Sequence, residues 1–80
     1  MTFTITINRI NYYVFVTDLK NGLEQYDIKR EAEHWILISN RPTLIKKNLK
    51  HKAPLYRWKQ GPDNIFIRGE VEKVIEAGRG

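Results

Sequence analysis

The side chains in this chain that could do chemistry are few, and their spacing removes most of the reactions they might support. His34 and His51 are the only histidines, and neither stands with a second ligand at metal-binding spacing. Ser39 is the only serine and lacks the glycine-flanked elbow of a nucleophile. Glu31 and Glu33 would share one face of a strand, but they read as a charged loop rather than an acid–base pair. The glycines form no phosphate loop: Gly61-Pro62 reads as a turn and Gly78-Arg79-Gly80 as a tail. There is no cysteine, which removes disulfides, thiolate metal sites and thiol nucleophiles together. No catalytic residue, metal or cofactor is expected.

Two groupings remain. His51, Lys52, Tyr56 and Arg57 supply the residue types with which a metal-independent ribonuclease stabilises a cyclising phosphate, although any basic segment contains such types. The second grouping is Tyr56-Arg57-Trp58-Lys59, preceded by Lys46, Lys47, Lys50 and Lys52. Cations track phosphates and aromatic rings stack on exposed bases, so interleaving the two suits nucleic acid. On a strand, Tyr56 and Trp58 share one face, and Arg57 and Lys59 the other. The competing reading puts both rings in the core and leaves only the cations facing water.

Charge distribution favours a polyanion as partner. The formal net charge is +5, with 14 lysines and arginines against 9 acids. Between His34 and Pro62 there is no acid, and the stretch holds Arg41, Lys46, Lys47, Lys50, Lys52, Arg57 and Lys59. The remainder of the chain is slightly acidic, so the positive character is one contiguous block. A solubilising surface would look similar. Met1 to Ile7 lacks the pattern of a secretion signal and no apolar run approaches bilayer length. Together with the missing cysteine, this sets the expected location as the cytoplasm.

These residues need elements to position them. Thr2 to Ile7 alternates threonine with Phe3, Ile5 and Ile7, the period of a half-buried strand. Tyr12 to Leu19 is rich in β-branched and aromatic residues, and Asn21-Gly22 after it has the chemistry of a two-residue hairpin turn. That turn predicts Phe15 opposite Ile28 and Thr17 opposite Tyr26. It places Tyr13, Phe15, Leu19, Tyr26 and Ile28 on one apolar face, with Val14, Val16, Asp27 and Lys29 behind. Glu31 to His34 breaks the pattern, and Trp35 to Ser39 is a strand apolar on both faces, hence central or covered twice. Asn40 as a cap and Pro42 in a first turn predict a short basic amphipathic helix near 42–50. Its apolar arc would be Leu44, Ile45 and Leu49. Pro54 to Lys59 is extended and suits an edge. Asp63 or Asn64 caps a final helix to Ala77 with the stripe Ile67, Val71, Val74 and Ile75, stopped by Gly78. Gly69 weakens that helix, and a short strand over 65–67 before a shorter helix is the alternative.

The expected architecture is one α+β domain over residues 1–80. It has an antiparallel sheet of four or five strands, with the C-terminal helix on one face. The expected function is a non-catalytic binding module whose basic segment, 41–59, contacts nucleic acid or an acidic protein. The alternative is a protein-interaction or self-assembling domain. Its support is an apolar patch of Val14, Val16, Ile36 and Ile38 that would be buried in a homodimer unless the basic helix covers it. A ribonuclease is the third reading.

Overall fold

The computed structural model describes residues 1–79. Five strands follow one another, β1 (Thr2–Ile7), β2 (Ile10–Asp18), β3 (Glu24–Arg30), β4 (Glu33–Ser39) and β5 (Tyr56–Gln60), and pair in that order as one antiparallel sheet. A short helix, α1 (Arg41–Lys46), lies between β4 and β5, and a longer one, α2 (Ile65–Arg79), ends the chain. This is the expected α+β class. β4 is internal and β5 is an edge strand, as the apolar and proline-led sequences of the two suggest.

The second hairpin differs from expectation by one residue. Val14 lies opposite Ile28, Phe15 opposite Asp27 and Val16 opposite Tyr26. The predicted Phe15–Ile28 pairing is therefore not formed. The cause is loop length. Leu19 N–H donates to Leu23 C=O at 2.9 Å, so Lys20–Gly22 form a three-residue connection rather than a two-residue one. Asn21 and Gly22 do take positive φ, 68° and 73°. The two-residue turn with both residues left-handed occurs instead at Asn8-Arg9, between the paired Ile7 and Ile10, with φ of 51° and 66°. Because the side-chain period of a strand is two, one added loop residue exchanges the faces of β2. Tyr12 and Val14 point into the core, while Tyr13 is 65 % exposed and Phe15 43 %.

The inner face of the sheet carries Ile5, Ile7, Tyr12, Val14, Tyr26, Ile28, Trp35 and Leu37, which form one cluster with Val71 and Ile75 of α2. Tyr12 stacks on Trp35 with ring centroids 4.9 Å apart. Ile67 and Val74 complete the predicted helical stripe as half-buried neighbours. Each fully buried aliphatic side chain of this kind contributes roughly 1.5–3 kcal/mol through removal from water. Residues 65–67 are helical, as expected, and the alternative short strand is not formed. Asn64 Oδ1 accepts from the Phe66 N–H at 2.8 Å and caps the start, and the helix passes Gly78 to reach Arg79. Gly80, the last residue of the predicted tail, lies outside the described residues.

α1 is shorter than its sequence pattern, since Asn48 turns to φ 59°. Asn40 does not cap it through its side chain. Its Oδ1 instead accepts from Leu55 N–H at 2.8 Å and closes the loop back onto β5. Thr43 Oγ1 donates to the Gly22 carbonyl at 2.8 Å and ties α1 to the β2–β3 connection. None of the described helices is long and apolar enough to cross a membrane.

Candidate anion-binding surface

The seven cations of the acid-free segment separate into two kinds. Arg41 is built into the interior: its guanidinium donates to Glu76 Oε2 at 2.7 Å and lies 4.0 Å from Glu24 Oε2. Lys46, Lys47, Lys50, Lys52, Arg57 and Lys59 are all exposed, and none of them forms an ion pair among the described residues. The four lysines lie on the end of α1 and the loop after it. Arg57 and Lys59 continue along the edge strand, where Lys59 is the extra residue of a bulge opposite Ile36 and Leu37.

The two rings of the same segment face the helix. Tyr56 and Trp58 belong to the inner face, opposite Ser39 and Leu37. Trp58 Nε1 donates to Glu72 Oε2 at 2.8 Å, and Tyr56 hydroxyl donates to Glu76 Oε2 at 2.7 Å. Gly61 is pressed against the indole, where a Cβ would come within 2.5 Å of Trp58 Cε3. Each ring is thus tied to α2 through its polar atom. Arg57 points to the opposite side of the sheet, so His51, Lys52, Tyr56 and Arg57 do not converge as a ribonuclease set.

The predicted apolar patch does not exist as one surface. Val14 is fully buried and Val16 packs on the core, whereas Ile36 and Ile38 point to the other face of the sheet, where Ile38 is itself buried at 4 % exposure. The register change that moved β2 accounts for the split. Tyr13 and Phe15 have taken the outer positions, and Lys29 Nζ lies 5.3 Å from the centre of the Phe15 ring.

A polar cluster was not anticipated from the sequence. Glu24 is 1 % exposed and would be costly there without partners. Arg79 supplies a fork, with Nη2 to Oε1 at 2.9 Å and Nε to Oε2 at 3.4 Å. Tyr26 hydroxyl also donates to Oε2. Beside it, Glu76 accepts from Arg41 and Tyr56. Burial pushes the Tyr26 hydroxyl up to about 12, reinforced by its bond to Glu24. Burial and the Glu76 carboxylate raise Tyr56 in the same way. For both guanidiniums the cost of burial is outweighed by the adjacent carboxylates, so their pKa values rise. The four charged members come from β3, α1 and two positions on α2, without any local spacing to signal them. Only Glu24 and Tyr26, two apart on β3, announce a shared face.

The cluster forms one wall of a pocket of about 240 Å³, lined by Arg41, Leu44, Ile45, Lys50, Lys52, Pro54, Glu76 and Arg79. No protein-family model, curated protein or solved structure matches the chain.

Proposed function

We propose that this protein is a non-catalytic module, acting in the cytoplasm, that binds nucleic acid through the lysines of α1 and the following loop. The observation that carries the reading is the division of the basic segment: Arg41 is neutralised internally, while Lys46, Lys47, Lys50 and Lys52 are exposed and, among the described residues, have no acidic neighbour in ion-pair range. Exposed, unpaired lysines act as point charges that track phosphates and release their counterions. They fix position on a backbone and do not read bases. Arg57 and Lys59 extend the path along the β5 edge. Tyr56 and Trp58 hold the edge strand to α2 rather than stacking on the ligand.

The test is fluorescence anisotropy with labelled single- and double-stranded oligonucleotides at about 0.15 M salt. The expected result is binding that falls with salt at a log–log slope of about −0.9 for each phosphate contacted on duplex DNA. Replacing Lys46, Lys47 and Lys50 with glutamate should lower affinity for every sequence alike. A dissociation constant weaker than about 10⁻⁴ M for all oligonucleotides overturns the reading.

A protein partner, a second copy of the chain included, is the second reading. It is favoured by Tyr13, Phe15 and Ile36 on the sheet face that α2 leaves open.

A further inference from the structure

We propose that the pocket between α1, the loop after it and the last turns of α2 binds a phosphomonoester. Four cations converge on it: Arg41, Arg79, Lys50 and Lys52. Among the described residues, Glu76 on the wall and Glu24 behind it balance two of these, which leaves two positive charges in excess. A phosphomonoester near neutral pH carries between one and two negative charges and matches that excess. A carboxylate would leave part of it uncompensated.

The donor set points the same way. The glutamates hold the two guanidiniums in place, Arg79 through a two-point fork and Arg41 through one bond at 2.7 Å. A guanidinium has five N–H donors. Arg41 spends one of them on Glu76, and its Nε–H is enclosed 4.0 Å from Glu24 Oε2, which leaves the terminal N–H groups to meet a ligand. Planar donors fixed in this way suit the tetrahedral face of a phosphate. Lys50 and Lys52 are long, exposed and unpaired, and can close over the bound group from the solvent side. The volume, about 240 Å³, lies below the roughly 300 Å³ at which sites for drug-sized ligands begin. It admits a phosphate with part of a sugar rather than a whole cofactor.

The proposal shares Lys50 and Lys52 with the nucleic-acid reading above and, where the phosphate is the end of a strand, rests on it. The experiment separates the two. Inorganic phosphate is titrated into ¹⁵N-labelled protein, with chloride at equal ionic strength as the reference. Saturable shifts should appear at Arg41, Lys50, Lys52 and Arg79 with phosphate alone. The double variant Lys50→Gln/Lys52→Gln, which alters only exposed side chains, should weaken them roughly tenfold. Shifts that match those with chloride, never saturate, or persist unchanged in the double variant overturn the pocket. In parallel, oligonucleotides ending in a 5′-phosphate are compared with their 5′-hydroxyl counterparts. Roughly tenfold tighter binding of the phosphorylated end supports the pocket with a strand terminus as its ligand. Equal binding of the two, with the inorganic phosphate shifts intact, supports it with a free phosphomonoester as its ligand. If neither oligonucleotide binds while phosphate does, the pocket stands and the nucleic-acid reading falls.

Discussion

Arg9 and Tyr26 show how single residues set this protein's margins. Arg9 sits at φ 66° in the tight β1–β2 turn, a conformation that costs an L-residue roughly 1–2 kcal/mol. Glycine adopts it freely but loses more backbone entropy on folding, about 0.5–1 kcal/mol. Arg9→Gly should therefore stabilise the fold by up to about 1 kcal/mol, read as a rise in Tm of a few degrees. Gly22 is the reverse case. Its φ is 73°, and a Cβ there would come within 2.0 Å of Thr43 Oγ1, so Gly22→Ala should lower Tm. Tyr26, with Tyr56, bears on the alkaline limit. Its hydroxyl is raised from 10.0 to about 12 in the folded state, so its contribution is complete below pH 10 and is lost as pH climbs from 10 through 12. Denaturant titrations over that range should show stability falling in the wild type and falling less in Tyr26→Phe.

At the scale of elements, α2 and the β2–β3 connection decide the architecture. α2 is held by Val71 and Ile75 below and by Glu72 and Glu76, which take the Trp58 and Tyr56 donors of the edge strand. Gly69 is its weak point, and nothing lies within 4 Å of where its Cβ would be. Gly69→Ala should stabilise by about 1 kcal/mol, measured by chemical denaturation. Glu72→Ala leaves the indole N–H of Trp58 without its partner and should cost roughly 1–3 kcal/mol, with a red shift in tryptophan emission. The β2–β3 connection is the element whose local signals conflict. β3 is unambiguous, with Tyr26 and Ile28 against Gln25, Asp27 and Lys29. β2 is apolar at both parities, with Tyr12, Val14 and Val16 against Tyr13 and Phe15. The Asn21-Gly22 chemistry suggested a two-residue turn. The core instead selected the register that stacks Val14 and Ile28 under α2, and with it a three-residue loop.

At the scale of the whole molecule, the proposed partners would meet the sheet face opposite α2 or the basic end. Tyr13, Phe15 and Ile36 lie on a face no helix covers, and apolar surface of that kind is where self-association would begin. Sedimentation over a wide concentration range checks it. If a dimer forms through this face, Phe15→Thr should return the protein to monomer while leaving Tm nearly unchanged, since the ring is already 43 % exposed and threonine suits a strand. Glutamate in place of Lys46, Lys47 and Lys50 should likewise change stability by no more than about 1.5 kcal/mol, because each surface change away from packed or paired groups rarely exceeds about 0.5 kcal/mol. A matching loss of oligonucleotide binding would then be an effect on the interface alone.

The sequence by itself determined the class of the fold, the strand and helix segments, the inward stripe of α2 and the acid-free basic block. All of these rest on periodicity, turn chemistry and charge, which act between near neighbours in the chain. Tertiary structure alone decided which face of β2 is buried, because two local patterns competed and only packing against β3, β4 and α2 separates them. It also decided which cations are free. Arg41 and Lys46 look alike in the sequence, yet one meets Glu24 and Glu76 across the fold and the other meets water. The Glu24–Arg79 pair joins residues 55 apart in the sequence, and no local signal could have joined a strand residue to what reads as a tail. Burial creates that pair: a carboxylate removed from water requires a partner, and the fold determines which cation lies within reach.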